Sequence, residues 1–314
     1  MPHIEWGFLI VNYLFLGGLS AGLFFVSAFA LYLQQKDPAY ERLARYSALL
    51  APWPVALGSS LLILDLGNWY RFYVLFLHFR WQSPMSIGSW LLVLFTGITL
   101  VYLWSWLPQD HRTGLLRRLK LPPSLNRELS HLRPLLAAIG FPFSIGVAIY
   151  TGVLLGAVQA RPFWNTNLVA QMFLFSALSS GCAVLILVLS LRPKLLEPAQ
   201  IRFLYMLDIF LITLEFFIVL PYLIHGQLSV QAVRDSLELI LGGPFTVAFW
   251  LLFLGLGLLL PLLIEIFETV PALFSKAEIH HNRRLAVLNA ALVLFGGYML
   301  RYIFVYAGQI SAFR

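Results

Sequence analysis

The chain has 314 residues, of which 60% are hydrophobic and only 11% are charged, and its net charge is +7. Soluble domains carry about 25% charged residues, so this composition excludes a soluble domain and indicates a membrane protein. The basic residues are scattered in loops, which argues against a nucleic-acid-binding protein. The single cysteine, Cys182, excludes disulfides and any iron–sulfur cluster ligated by this chain alone.

Eight apolar segments have the length of about 20 residues that an α-helix needs to cross a bilayer. The chain is therefore predicted to be an all-α polytopic membrane protein with eight transmembrane helices. We place these helices near residues 7–33, 46–66, 86–106, 134–159, 167–191, 203–224, 243–266 and 284–308. An even number of spans puts both termini on one side of the membrane.

The distribution of Lys and Arg predicts the orientation of the helices. The loops after predicted helices 1, 3, 5 and 7 hold 15 of these residues, whereas the opposite side holds five. Because cytoplasmic loops are enriched in Lys and Arg, the side with 15 is predicted to be cytoplasmic. Both termini and the loops after helices 2, 4 and 6 would then face outward, to the periplasm in a bacterium with two membranes.

Predicted helices 1 and 5 share the pattern Leu-Ser-x-Gly, at residues 19–22 and 178–181. Both helices enter from the outer side, so the chain is interpreted as a parallel duplication of two four-helix bundles, residues 1–160 and 161–314. The alternative is that small residues only let membrane helices pack closely. A packing role is expected under either interpretation.

Ionisable side chains inside membrane spans are costly and mark functional candidates. Asp208 and Glu215 are seven residues apart in helix 6, which puts them on one helical face, about 10 Å apart along the axis. Together with Arg301 of helix 8 they are interpreted as a proton path. The alternative is an ion pair that holds helices 6 and 8 together, because buried charges must pair. Glu265 is expected at the inner interface, in contact with solvent.

Hydroxyl and carboxyl groups also collect near the outer ends of three helices. Tyr13 and Tyr150 lie within about three helical turns of the outer surface, and Asp65 ends helix 2 at the same level. A quinone needs a hydrogen-bond partner for each ring carbonyl and a proton source, which these groups provide. All seven histidines fall in loops or at helix ends, so neither an axial haem ligand pair nor another metal site is expected.

The outer loops are rich in aromatic residues with arginines between them. The loop at 66–90 is predicted to hold an interfacial helix that ends at Pro84, and the loop at 161–165 reads RPFWN. An aromatic belt accounts for such residues in many membrane proteins. The alternative is a rim on which a partner protein docks, formed by His78, Arg80, Arg161, Phe163, Trp164 and Asn165.

Five segments in chain order resemble the NrfD/polysulfide reductase membrane-subunit family. They are NYLFLGGLSAG (12–22), LDLGNWYRF (64–72) with SPMSIGSW (83–90), YTGVLLGAVQARPFWN (150–165), LFSALSSG (174–181) and MLRYIFVYAGQ (299–309). The resemblance implies a haem-free fold of two four-helix bundles. It also implies a partner on the outer face, a ferredoxin-like subunit with four iron–sulfur clusters. That subunit would connect a molybdopterin catalytic subunit, or a multihaem cytochrome, to the quinone pool.

The resemblance also implies the position of the quinone site. In the polysulfide reductase member, a tyrosine in the segment that matches YTGV lines this site, which assigns Tyr150 to it. Thr151 and Gly152 would continue the pocket wall, with Gly152 letting a ring approach the backbone. Tyr150 is therefore interpreted as a catalytic residue that hydrogen-bonds the head group.

The first two helices depart from the family pattern. A histidine of the family aligns with Tyr13, beside Asn12, and an asparagine one turn earlier aligns with Ile10. Tyr13 or Asp65 would replace the missing hydrogen bond to the second quinone carbonyl, and Asp65 would exchange protons. The family's DLGRP reads DLGNW here, which leaves Arg71 as the nearest cation.

These observations predict a quinone-reactive membrane anchor of a respiratory iron–sulfur oxidoreductase in the cytoplasmic membrane of a bacterium or archaeon. It would exchange electrons between menaquinone or ubiquinone and the iron–sulfur partner, and would act as an enzyme subunit only within that complex. The alternative is a secondary transporter or an ion-translocating subunit, which the internal repeat and the buried carboxyl groups favour.

Overall fold

The computed structural model describes residues 6–34, 37–66, 69–77, 79–118, 120, 122, 129–192, 197–275 and 282–311, without the side chains of 75 and 270–275. Within these ranges the regular structure is entirely helical. Eight helices are long and apolar enough to cross a membrane: α1 (Phe8–Leu33), α2 (Ala39–Asp65), α3 (Pro84–Trp106), α4 (Ser130–Gly156), α5 (Leu168–Leu191), α6 (Pro198–Gln227), α7 (Ala248–Thr269) and α8 (Arg283–Ile310). The prediction of an all-α polytopic membrane protein with eight spans is confirmed.

Two helices extend further at their N-terminal ends than the apolar runs indicate. α2 begins with an amphipathic helix, Ala39–Leu50, and continues past Ala51 as Pro52–Asp65. α6 begins at Pro198, where Glu197 and Gln200 form a reciprocal capping box. Polar residues in these first turns hide the helix from a hydropathy count, while the caps satisfy the free backbone N–H groups.

The loop between α2 and α3 differs from the predicted interfacial helix. It forms a 3₁₀ turn, Trp69–Arg71, and a single α-helical turn, Val74–Leu77. Pro84 does not end a helix but begins α3, after Ser83, whose hydroxyl accepts a bond from the backbone N–H of Ser86. Proline is well suited to the first helical turn, because it has no N–H to leave unpaired there.

α1 and α5 cross at the centre of the molecule through their Leu-Ser-x-Gly patterns. A Cβ atom on Gly22 would overlap the carbonyl of Ala177, and one on Gly181 would overlap the backbone of Gly22. A Cβ on Gly18 would lie 3.1 Å from Ala177. The pairs Gly18–Ala177 and Gly22–Gly181 are both separated by 159 positions, so the two helices are parallel and in one register. The predicted packing role is confirmed, whereas the division of the chain at residue 160 stays a prediction.

The other helices pack around this central pair. α1 contacts α2 and α4, and α5 contacts α4, α6 and α8, while α3 packs on α4 and α7 on α8. α7 begins as a π-helix, Ala248–Leu259, in which Gly257 packs directly on the Gly296 backbone of α8. π-helical turns are uncommon and often lie close to functional groups.

The first and last described residues meet at one end of the helix bundle. The side chain of Gln309 accepts a hydrogen bond from the backbone N–H of Trp6 (2.7 Å) and donates one to its carbonyl oxygen (2.8 Å). The Trp6 ring stacks on Trp164, with ring centroids 5.3 Å apart. We call this end of the bundle the terminal end, and the opposite end, where the Lys- and Arg-rich loops lie, the basic end.

Candidate functional site

Two phenol groups, from α1 and α4, come together towards the terminal end. Tyr13 is fully buried, Tyr150 is 8% exposed, and the two side chains are close enough to interact electrostatically. The Tyr13 hydroxyl has no hydrogen-bond partner within the described part of the chain. A buried hydroxyl without a hydrogen-bond partner costs free energy. A ligand oxygen that accepts a hydrogen bond from this hydroxyl would therefore bind favourably.

The position of the Tyr150 ring depends on Gly88 of α3. A Cβ atom at Gly88 would overlap the ring and its hydroxyl group, so the ring lies directly on the α3 backbone. Gly88 belongs to the segment SPMSIGSW, for which the sequence suggested no individual role. It is a positioning residue, because it lets α3 approach α4 closely enough to hold Tyr150 towards α1.

Gly152 faces α5, and the Thr151 hydroxyl is bonded within its own helix. The Thr151 hydroxyl donates to the Ala148 carbonyl oxygen within α4 (2.8 Å), and a Cβ on Gly152 would lie 2.5 Å from the Ala170 Cα of α5. Consecutive residues of an α-helix point about 100° apart, so three neighbours cannot share one wall. The expectation that Gly152 admits a quinone ring is wrong, because Gly152 serves the packing of α4 on α5.

Asp65 lies nearer the terminal end than the phenols. α2 runs antiparallel to α1, and Gly58 packs at the level of Tyr13 and Gly17. Asp65 follows Gly58 by seven residues, which places it about 10 Å further along the helix axis. It is partly exposed. Asp65 thus lies between the level of the phenols and the aqueous surface at the terminal end.

Two further residues of the predicted site lie apart from Tyr13 and Tyr150. The Asn12 amide donates to the Phe8 carbonyl oxygen (2.7 Å) and faces Tyr298 of α8. Arg71 is exposed, and its guanidinium lies 5.6 Å from the ring centroid of its neighbour Tyr70. The structure therefore groups Tyr13 with Tyr150, and leaves Asn12 and Arg71 outside that group.

The aromatic residues of the predicted docking rim are buried. The Trp164 indole N–H donates to the Phe304 carbonyl oxygen (2.7 Å), and the indole lies directly over Gly308. The Phe163 ring packs against Tyr222 and Phe304, with centroids 5.9 and 5.1 Å apart. The expectation that Phe163 and Trp164 belong to an exposed docking rim is wrong, because both rings are buried and pack the α4–α5 loop against α8.

Arg161 also has a structural role at this end of the molecule. Its Nη1 atom donates to the main-chain carbonyl oxygens of Gln309 and Ser311, the latter at 2.8 Å. A cation there stabilises the end of α8, where carbonyl groups lack helical partners. The exposed residues of the predicted rim are Arg80 and Asn165. His78 lies outside the described residues.

A buried arginine and a buried glutamate lie near each other in the interior between α6 and α8, with Ser176 between them. Arg301 is fully buried, and its Nη1 atom donates to the Ser176 hydroxyl (2.6 Å) and the Gly297 carbonyl oxygen (2.8 Å). Its Nη2 atom donates to the Phe173 carbonyl oxygen (3.1 Å). Glu215 is 2% exposed and interacts with the guanidinium, with Ser176 beside both groups. The structure therefore brings together the predicted partners Glu215 and Arg301.

A second polar cluster lies closer to the basic end. Asp208 lies beside Glu265 of α7, and the Asn289 amide donates to Glu265 Oε1 (2.8 Å). Glu268 lies next to Tyr205. Asp208 and Glu265 are both fully buried, so the expectation that Glu265 contacts solvent is wrong. The spacing of Glu265 and Glu268, three residues apart, was the signal that both share the helical face turned towards α6.

The phenols and the buried charges approach each other along α1. A Cβ atom on Gly18 would lie 3.4 Å from Arg301 Nη2, and Tyr13 is five residues, or about 7.5 Å, nearer the terminal end. Polar groups thus follow one another from the phenols, through Arg301, to the carboxyl groups near the basic end. Across the described ranges, no three His, Cys, Asp or Glu side chains are placed to hold a metal ion.

Comparisons with known proteins cover nearly the whole chain. The family described as "Polysulphide reductase, NrfD" matches residues 1–312. Protein NrfD of Escherichia coli K12 is 30% identical over 98% of this chain and 97% of its own length. A subunit of the polysulfide reductase of Wolinella succinogenes is 29% identical, over 98% and 95%. An Hdr-like menaquinol oxidoreductase integral membrane subunit of Archaeoglobus fulgidus is 24% identical, over 98% and 72%.

Proposed function

Because the chain belongs to the polysulphide reductase NrfD family over residues 1–312, we propose that it is the membrane anchor of a respiratory oxidoreductase. It exchanges electrons between the quinone pool and an iron–sulfur partner subunit. The family membership indicated by five sequence motifs is confirmed. The name of the Wolinella relative supports a reductase complex, and that of the Archaeoglobus relative, a menaquinol oxidoreductase subunit, supports a quinone substrate. We propose menaquinone or ubiquinone as that substrate.

The observation that carries this proposal is the buried Tyr13 hydroxyl without a partner, beside Tyr150. In the proposal each phenol donates a hydrogen bond to one oxygen of the quinone head group. Asp65 exchanges protons with water at the mouth of the site, which its partial exposure supports. Asn12 and Arg71 have no role in the proposed site, because they lie away from both phenols.

The iron–sulfur partner is proposed to dock at the terminal end of the bundle, on the outer side of the cytoplasmic membrane. The exposed Arg80 and Asn165 lie in the two outer loops there, and Trp81 is 80% exposed next to Arg80. Exposed tryptophan and arginine are typical of protein interfaces. The partner is a four-cluster ferredoxin-like subunit, with a molybdopterin subunit or a multihaem cytochrome beyond it. This chain itself binds no haem or metal in the proposal.

Replacing Tyr13 or Tyr150 with phenylalanine is expected to weaken quinone binding roughly tenfold, because one hydrogen bond to a ring oxygen is lost. The measurement is the oxidation rate of a soluble quinol as its concentration is varied, in membranes that contain the complex. Tyr102→Phe is the matched control, since it removes a buried phenol hydroxyl of the same half that is bonded to Ser27. Unchanged kinetics in both test variants, with the complex assembled, would contradict the proposed site.

A second function, proton translocation, is favoured by the buried carboxyl groups of α6 and α7. Asp208 and Glu265 lie side by side, and Glu215 lies between them and the phenols along α6. Chains of acidic side chains inside membrane proteins commonly relay protons. We propose that these groups connect the quinone site with the basic end, which is the cytoplasmic side in this interpretation.

The Asp208→Asn variant separates proton transfer from electron transfer. Proton uptake by the complex in sealed vesicles is expected to fall by about a hundredfold or more, since a carboxyl relay is interrupted. The binding of quinone, measured by titration, stays unchanged because Asp208 is remote from both phenols. Glu238→Gln, which changes a carboxyl group outside the eight spans, is the control. Normal proton uptake in Asp208→Asn would contradict the proposed proton transfer and would mean that these carboxyl groups have a structural role only.

A further inference from the structure

Three cavities with shared lining residues follow one another towards the basic end of the molecule, and together we call them the groove. Its apolar part has a volume of about 420 Å³ and lies between the ends of α1 and α4, where Phe29, Tyr32, Ala138 and Phe141 line it. Two cavities of about 300 and 320 Å³ continue it past Gln34. Neighbouring cavities share lining residues, so an extended molecule can occupy all three.

The inner part of the groove carries an excess of positive charge. Arg133 lines both inner cavities, and Arg45 and Arg112 line the innermost one. Glu41 lines both cavities as well, with its Oε1 atom 4.0 Å from Arg133 Nη1. Three guanidinium groups therefore face one carboxylate. Such a site favours a ligand with a negatively charged head group.

Arg133 is fixed in position at the centre of the groove. Its Nε and Nη2 atoms donate to the Ser105 carbonyl oxygen at 3.1 and 2.8 Å. Its guanidinium lies 4.1 Å from the ring centroid of Trp106. A charge held by two such contacts is preorganised, because ligand binding does not have to order a long side chain.

We propose that this groove binds an anionic phospholipid, with the phosphate among Arg45, Arg112 and Arg133 and one acyl chain along Phe29 and Phe141. The ligand must have an apolar tail and an anionic head at the level where the helices leave the membrane, and phospholipids have both. Basic pockets between membrane helices on the cytoplasmic side are known to bind such head groups. A quinone head group is uncharged and would form no ion pair with the arginines. The proposal does not depend on the function of the phenols.

The test uses the purified complex, delipidated in a mild detergent and titrated with dioleoylphosphatidylglycerol or dioleoylphosphatidylcholine. The two lipids have the same acyl chains and differ in head-group charge. Native mass spectrometry counts the lipids that are bound. We expect phosphatidylglycerol to bind at least about fivefold more tightly, since each arginine near a membrane surface contributes roughly that factor. Equal affinities for the two lipids would overturn the proposal.

Two pairs of variants separate the head-group site from the acyl groove. Arg45→Gln is expected to reduce phosphatidylglycerol binding about fivefold, whereas Arg71→Gln, at an exposed arginine of the terminal end, leaves it unchanged. Ala138→Trp fills the apolar part and weakens both lipids, whereas Leu135→Trp, at an exposed position of the same helix, does not.

Inorganic phosphate distinguishes a lipid from a free anion as the ligand of the groove. We expect phosphate at the lipid concentration to leave phosphatidylglycerol bound, because phosphate lacks the acyl chain. Displacement by phosphate, together with unchanged lipid binding in Ala138→Trp, would mean that the groove is a simple anion site and would refute the lipid proposal. So would displacement of lipid by a menaquinone analogue whose binding is unaffected by Arg45→Gln.

Discussion

Replacing Arg301 with leucine is expected to destabilise the protein by about 3–5 kcal/mol, because it removes a buried cation that interacts with Glu215 and with several buried oxygen atoms. The guanidinium is fully buried and also donates to Ser176, Gly297 and Phe173, whose oxygen atoms lose this donor. The measurement is the free energy of unfolding in detergent, from the denaturant dependence of the helical signal. Arg234→Leu, at an exposed arginine, is the control and is expected to have little effect.

The Glu215→Leu change identifies the origin of this effect. If the interaction with Glu215 causes the loss, the double variant Arg301→Leu with Glu215→Leu will be less destabilised than the sum of the two single variants, by a coupling of about 1 kcal/mol or more. Purely additive effects of the two changes would contradict an electrostatic interaction between these residues. The cycle also tests whether the pair has the structural role that was the alternative to a proton path.

Replacing Gly181 with leucine is expected to separate α1 from α5, since a Cβ atom alone would overlap the Gly22 backbone. Adding side-chain atoms to a tightly packed interior costs about 1–3 kcal/mol, and more where backbone must move. Here two backbones face each other, so we expect loss of the folded protein from the membrane. The yield and the apparent melting temperature of the purified protein measure the effect.

Gly97→Leu is the matched control for this substitution. Gly97 also lies within a membrane-spanning helix, α3, but a Cβ placed there would meet no other helix in the described part of the chain within 4 Å. The leucine would point into the lipid, which is as apolar as the leucine side chain. A normal yield for Gly97→Leu and a low yield for Gly181→Leu would show that folding requires the close contact between α1 and α5, and that the loss of a glycine alone does not prevent it. Equal yields would contradict the role assigned to the crossing.

The number and the approximate limits of the spans were predictable from the sequence for a physical reason. A bilayer imposes a minimum length on each apolar segment and requires every backbone group to be bonded within it, so hydropathy alone locates the helices. The two Leu-Ser-x-Gly patterns were also informative, because only small residues allow helix backbones to approach so closely.

The direction in which each side chain points was much less predictable. Soluble helices reveal their buried face by alternating polar and apolar positions, but a membrane helix is apolar towards both lipid and core. The sequence therefore could not show that Gly152 faces α5 while Tyr150 faces α3, or that Trp164 packs inward over Gly308. Glu265 is a similar case, since its burial depends on the rotation of α7 against α6.

The register between α1 and α5 shows how these two helices differ at corresponding positions. At an offset of 159 positions, Tyr13 corresponds to Met172, and Ser20 corresponds to Ser179. The Ser20 hydroxyl donates to a main-chain carbonyl oxygen of α2 (2.5 Å), whereas Ser179 lies beside Asp208. A thioether has no proton to donate, so the position of α5 that corresponds to Tyr13 offers no hydrogen-bond donor. Under the proposed function, the Tyr13 position therefore binds one quinone head group, and α5 contributes instead to the surroundings of the buried carboxyl groups.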